Sequence, residues 1–367
     1  MSKPSEIYVT KAFLPPRSEF DRYIDGIWKT NQLTNNGTLL QQLEANLRVH
    51  LGLRNLYMVT NGTLALQIAI RALDLTGEVI TTPFSYVATT SALVWERCRP
   101  IMVDIDPATL TINPKAIRAA ITPRTTAILA THVFGNPCEI DEIHSIGSQF
   151  NLKILYDAAH AFGVRVGNKS IFSWGDVSVA SFHATKLFHT IEGGAIVAED
   201  ELIADRIYRM RNFGHVSAEC FDGIGINGKA SEFQAAMGLS VLPYVGEIIS
   251  KRKYITSRYK RNLEGLPLKF QLVKPSVVYN YSYMPVVFET EDILKNVMSA
   301  LSRKSIFPRR YFYPSLSALD YVEARHSTPI CDIIAKTIIC LPLYHDLCDE
   351  DVDRICEVIR QELQATR

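Results

Sequence analysis

Through its first two-thirds the chain alternates short apolar runs with stretches whose apolar residues recur every three or four positions. The runs at residues 56–59, 78–80, 100–103, 126–130, 153–156, 177–180 and 194–197 predict buried strands. Helical spacing occupies residues 39–50, 62–75, 85–96, 114–120 and 139–150. The first of these follows an Asn-Asn-Gly-Thr stretch that can cap it. Strands separated by helical segments of about 10–15 residues predict an α/β fold, a three-layer sandwich with a mostly parallel sheet covered on both faces.

Near residue 230 the pattern changes. A long helical stretch runs to about residue 262, with Pro243 expected to kink or divide it. Beyond it, residues 283–288, 305–307 and 337–341 read as strands and 349–363 as a closing amphipathic helix. These predict a smaller C-terminal α+β domain. The expected division puts residues 1–245, N-terminal segment included, in the large domain and 246–367 in the small one.

Composition narrows the class. With 47% hydrophobic and 21% charged residues, there is ample apolar surface to offset ordering entropy. Thirty-nine basic against 38 acidic side chains leave a formal charge of +1, so no overall field favours nucleic acid or an anionic membrane. Any phosphate must be held by local groups. No apolar run is long enough to span a bilayer. The opening Met-Ser-Lys-Pro-Ser-Glu lacks the apolar core of a secretory signal. Seven cysteines without a CxxC pair suit free thiols better than a disulfide framework or a zinc site. The expectation is a cytoplasmic protein.

The run from Gly223 to Gly228 matches GxGxxG, but the preceding segment is polar and irregular, where a nicotinamide site needs a strand feeding the turn. Three other places carry more chemistry. Thr60-Asn-Gly-Thr63 sits between a strand and a helix, where amides and the Thr63 hydroxyl suit a phosphate or simply cap the helix. Asp157 ends a predicted strand, at the edge where open α/β sheets bind ligands. Lys186 follows another strand amid small and aromatic residues, a setting that desolvates an amine and eases its deprotonation for Schiff-base chemistry.

In order and spacing, a set of motifs resembles the DegT/StrS-type nucleotide-sugar aminotransferases, pyridoxal-phosphate enzymes of the aspartate-aminotransferase fold (fold type I). The set comprises Leu33-Thr-Asn-Asn-Gly37, Thr60-Asn-Gly-Thr63, Pro83-Phe-Ser-Tyr-Val-Ala-Thr89, Asp157-Ala-Ala-His160, Ser181-Phe-His-Ala-Thr-Lys186, Glu192-Gly-Gly194, Asn227 and Leu341-Pro-Leu-Tyr344. The resemblance implies that Lys186 bonds the cofactor and later shuttles a proton. Asp157 would pair with the pyridine nitrogen, Tyr86 stack on the ring, and His160 contact the ring or its 3′ oxygen. Gly62, Thr63 and Ser181 would hold the phosphate. Asn227 would reach the cofactor of a neighbouring subunit, implying a homodimer with shared sites. Relatives often follow this Asn with an aromatic and then a basic residue; this chain has Gly228 and Lys229.

On the substrate side the resemblance points to Arg309, Tyr311 and Tyr313, with Thr34, His189 and Lys229 as further candidates. No metal is implied. The implied reaction moves an amino group from L-glutamate to a nucleotide-linked keto-6-deoxysugar, the cofactor alternating between pyridoxal 5′-phosphate and pyridoxamine 5′-phosphate. The phrasing lies nearest enzymes that make dTDP-4-amino-4,6-dideoxyglucose for O-antigen, lipopolysaccharide and related glycans. GDP-perosamine synthesis and 3-amination of a dTDP-3-ketosugar are the alternatives. A regulator that binds the cofactor without turnover is the alternative from another class.

Overall fold

The computed structural model describes residues 6–322 and 327–365. The first five residues, read above for a secretory signal, lie outside them. Seven strands form the central sheet in the spatial order Leu56–Val59, Gly194–Val197, Val177–Ser181, Lys153–Asp157, Thr125–Thr131, Glu78–Thr81 and Arg99–Met102. All seven runs expected as strands are present. Gly194–Val197 runs antiparallel to both neighbours, and every other adjacent pair is parallel.

Successive residues of these strands face opposite layers. Val79, Ala127, Leu129 and Leu155 pack with the helix Gly62–Ala72 on one face. Ile80, Ile128, Ile154 and Tyr156 pack with Ile117, Ile143 and Ile146 of the helices Pro114–Ala120 and Ile140–Phe150 on the other. Burial on both faces is why these strands read as unbroken apolar runs, without the alternation of a half-exposed sheet.

The helix Thr38–Leu51 begins at Gly37, which has no side chain to cap it. A carboxylate from far along the chain supplies the acceptor: Glu232 takes the amides of Leu39 and Leu40 at 2.8 and 2.9 Å. A Cβ on Gly37 would lie 2.4 Å from that carboxyl carbon, so the glycine makes room for the cap.

The long helical stretch divides at a short turn, Leu242–Tyr244, that contains Pro243. Glu232–Val241 precedes it and Val245–Asn262 follows. The second helix joins the two cores: Val245 and Ile248 pack in the large one, and Ile255 and Tyr259 in the C-terminal one. A division at 245/246 would fall at the start of this shared helix. The C-terminal unit has an antiparallel sheet, Leu268–Phe270, Met284–Phe288 and Ile338–Leu341, with helices Glu291–Arg303 and Asp349–Ala365. The N-terminal segment touches both units. Ile7–Tyr8 pairs in parallel with Ile306–Phe307, while Phe13 packs against the large core. No helix among the described residues is long and apolar enough to cross a membrane.

Candidate active site

Parallel strands present their carboxyl ends along one edge of the sheet, and the residues just beyond them line a single cleft. After Val59 the chain turns into the helix Gly62–Ala72, whose first turn is closed by Asn61 accepting the Leu64 amide at 2.8 Å. A Cβ on Gly62 would stand 3.0 Å from Ser181 Cβ, so a glycine lets the Ser181 strand approach the helix start. Early amides of a helix have no partner within it. Here Gly62, Thr63 and Ser181 line the cleft together, an arrangement of N–H and O–H donors that can cradle a phosphate.

Asp157 ends the strand Lys153–Asp157 and is buried. Its Oδ2 accepts from the Thr89 hydroxyl at 2.7 Å and its Oδ1 from the Ala159 amide at 3.1 Å. Burial pushes this carboxyl's pKa up; the two hydrogen bonds and the Lys186 cation pull against that shift. Lys186 lies across the cleft, and desolvation brings its ammonium pKa down to about 8 despite the opposing pull of Asp157. Its Nζ donates to the Tyr283 hydroxyl at 3.3 Å. A far larger share of this amine is unprotonated near neutral pH than of a solvated lysine.

His160 is buried, and desolvation holds its imidazole well below the usual pKa, so the ring is neutral. Its Nδ1 accepts the Phe134 amide at 3.0 Å, which assigns the ring proton to Nε2 and makes that nitrogen a donor. The loop that presents this amide is strained: Phe134 has φ 58°, a left-handed conformation that a bulky residue rarely adopts. Next to it, Gly135 has φ 88°, and a Cβ there would meet Asn280 Oδ1 at 2.6 Å. Asn280 Nδ2 and Ser282 Oγ both donate to the His160 carbonyl, at 2.8 and 2.7 Å. The C-terminal unit thereby clamps a residue of the large unit.

Of the substrate-side candidates, Arg309 and Tyr311 reach the cleft. Two backbone hydrogen bonds with Cys340 fix Arg309, and its guanidinium lies 4.8 Å from the Tyr311 ring centroid. Arg310 turns the other way, to Glu291 at 3.0 Å and over the Tyr313 ring, so Tyr313 stands outside the cleft.

Four more expected residues are not in this chain's own cleft. His189 is fully buried, with Nε2 2.7 Å from the Phe13 carbonyl, and it ties the N-terminal segment down. It does not line the cleft beside Lys186. Thr34 is exposed on a loop whose Leu33 carbonyl accepts the Glu232 amide. Asn227 is exposed, and Lys229 donates to Asn212 and Asn227 at 2.7 and 3.0 Å. Between them the Gly228 carbonyl accepts the Thr60 amide, and a Cβ at Gly228 would lie 3.2 Å from Leu64 and Ile68 side chains. A side chain at this position would have to displace Leu64 and Ile68 by a few tenths of an ångström.

The glycines from 223 to 228 follow an exposed hairpin, His215–Ser217 with Cys220–Phe221, with no strand of the central sheet feeding them. They have no dinucleotide-binding context.

Sequence reasoning missed Tyr283 and the hydroxyls of Ser85, Thr89 and Thr131. Ser85 lies just before the helix Val87–Trp95 and Thr89 in its first turn, within one short motif; Tyr283 had no local signal. Phosphate-holding donors, a buried carboxylate and a readily deprotonated amine fit pyridoxal phosphate: an anionic group, a basic ring nitrogen and an aldehyde.

Comparison with known proteins agrees. The chain is 41% identical to a dTDP-4-amino-4,6-dideoxy-D-glucose transaminase of Shigella dysenteriae, over 98% of this chain and all of that one. It is 38% identical to a protein of the same name from Escherichia coli, over 96% and 98%. Among solved structures, DesI, crystallised in the presence of its TDP-sugar product, superposes with a TM-score of 0.92 at 32% identity, over 99% of this chain and 93% of that one. Residues 16–360, nearly the whole chain, match one family. The chain belongs to the DegT/DnrJ/EryC1/StrS aminotransferase family, whose enzymes work with pyridoxal phosphate.

Proposed function

We propose that this protein transfers the amino group of L-glutamate to C4 of dTDP-4-keto-6-deoxyglucose, giving dTDP-4-amino-4,6-dideoxyglucose. The observation that carries the reading is full-length identity of 41% and 38% to two transaminases named for that product. The Lys186–Asp157 floor of the cleft supports the reaction type. When bound, pyridoxal phosphate accepts an amino group from one substrate, passes it to the carbonyl of another, and draws electrons from the reacting carbon.

The residues around it divide the work. Gly62, Thr63 and Ser181 would hold the phosphate, Asp157 would pair with the ring nitrogen, Tyr86 would stack on the ring, and His160 would donate to it from Nε2. Lys186 anchors the cofactor through Nζ. Once free, Nζ would take up the proton that the aminated cofactor gives up and hand it to the sugar carbon that gains the amino group. Arg309 and Tyr311 meet the nucleotide sugar, the guanidinium being suited to a diphosphate oxygen.

Asn227 and Lys229 serve the cleft of a second copy in a homodimer. They lie outside their own cleft, on a stretch of chain that also exposes apolar residues, Phe221 at 61% and Ile224 at 85% exposure. The work is placed in the cytoplasm, among reactions that supply amino sugars to O-antigen or related glycans.

The test is to supply glutamate with dTDP- and GDP-linked ketosugars and resolve the products by NMR. The 4-amino dTDP sugar, formed with one 2-oxoglutarate each, is expected. A GDP or 3-amino product would replace the substrate assignment. No 2-oxoglutarate with any acceptor would make the protein a non-catalytic regulator. For the shared site, mixed Lys186→Ala and Asn227→Ala subunits should regain activity on exchange. No recovery would reject it.

A further inference from the structure

Beside Asp157 a file of three buried hydroxyl residues runs across the sheet edge, Ser85 and Thr131 lining the cleft with it and Thr89 lying behind the lining. Thr131 Oγ1 lies 3.1 Å from Ser85 Oγ, Ser85 Oγ lies 2.7 Å from Thr89 Oγ1, and Thr89 Oγ1 lies 2.7 Å from Asp157 Oδ2. Ser85, Thr89 and Thr131 are 1%, 0% and 4% exposed. Each hydroxyl has one proton. An ionised Asp157 only accepts, so Thr89 must donate to it. Ser85 must then donate to Thr89, and Thr131 to Ser85. The whole file is polarised toward the carboxylate, and hydrogen bonds in such a chain strengthen one another.

The file also links two parts of the site that are distant in sequence. Ser85 immediately precedes Tyr86, which lines the cleft. The carboxylate and the aromatic residue are therefore set by one hydrogen-bonded unit.

We infer that Thr89, backed by Ser85 and Thr131, is a positioning residue that keeps Asp157 ionised and aimed at the ring nitrogen of the cofactor. This rests on the reading of Asp157 as the ring's partner. Without the Thr89 donor, burial favours the neutral acid. A neutral acid would hold the ring's positive charge poorly.

The test measures pyridoxal phosphate affinity of the full-length apoprotein by equilibrium dialysis, with the melting temperature of each variant alongside. Thr89→Val keeps the shape and removes the donor; affinity should fall about tenfold or more, the scale of one hydrogen bond to a charged group. Thr89→Ser restores the hydroxyl and should bind within about twofold of the parent, a rescue that a packing role would not give. Ser85→Ala should weaken binding by about two- to threefold, and it decides the matter if the valine variant does not fold. Asp157→Asn should weaken binding at least as much as Thr89→Val. Unchanged affinity in Thr89→Val, or a serine variant as weak as the valine one, overturns the inference alone. Unchanged affinity in Asp157→Asn overturns the ring-partner reading and the inference with it.

Discussion

The floor and the rim of the cleft are built differently. At the floor, Asp157 and His160 are buried; Thr89 and Ala159 hold the Asp157 carboxylate, the Phe134 amide holds His160 Nδ1, and Asn280 and Ser282 of the C-terminal unit hold the His160 carbonyl. At the rim, Arg309 leans on Tyr311, and Tyr86 is 53% exposed. Buried groups at the floor have their protonation set by the protein, whereas exposed groups at the rim keep the freedom to meet different ligands. A single floor can therefore serve one chemistry across a family while the rim changes the sugar.

The largest effect tests the floor. Lys186→Ala should lower the rate of amino transfer by about a thousandfold or more, the loss of a proton-transferring group. The melting temperature should stay near the parent's, because removing a desolvated amine relieves as much as it disrupts. An active variant would move the chemistry elsewhere.

The next test divides the rim from its support. Arg309→Ala should raise the KM for the nucleotide sugar by about 10- to 100-fold, the value of a charged hydrogen bond, with little change in KM for glutamate. Arg310→Ala should leave that KM within about threefold and lower the melting temperature, since Arg310 binds Glu291 and the Lys336 carbonyl within the C-terminal unit. Reversed results would exchange the two arginines.

A smaller effect concerns the loop that carries Thr34. Glu232→Ala removes both acceptors at the start of Thr38–Leu51 and should cost about 1–3 kcal/mol, read as a fall of several degrees in melting temperature. If Thr34 takes part in the rim, the KM for the sugar should rise as well. A stability loss with unchanged KM would remove Thr34 from the site.

The same contrast explains what the sequence made legible. Asn61-Gly62-Thr63, Asp157 and Lys186 each follow an apolar run, and the topology of a parallel sheet brings such strand ends to one edge whatever their separation in sequence. Tyr283 reaches Lys186 from 97 residues away, on the approach to a strand of the other unit, and no local pattern announces that meeting. Ser85, Thr89 and Thr131 look like ordinary strand-end and helix-start hydroxyls until the sheet order stacks them beside Asp157. His189 came only from the resemblance; the chain turns back at Thr190, whose amide bonds the Phe182 carbonyl, and the ring is buried and does not line the cleft.

The finest test of the floor is the pH dependence of its amine. With a pKa of about 8, Lys186 loses its role as a base as pH falls through that value, and the step that needs the free amine should slow about tenfold for each further pH unit. The Tyr283 hydroxyl accepts from this amine, and an acceptor favours the charged donor more than the neutral one. Tyr283→Phe should therefore lower the amine's pKa and move the acid limb to lower pH. The plateau should fall only a few-fold, because the phenyl ring still fills the space between Phe134 and Tyr311 while the amine loses its anchor. The measurement is the rate of product formation from enzyme loaded with pyridoxamine phosphate, across pH 6 to 9 (about the range where this amine titrates). A limb that stays in place would mean that burial and the opposing pull of Asp157 set the pKa without the hydroxyl; a limb that moves up would mean that the hydroxyl had been opposing the charge.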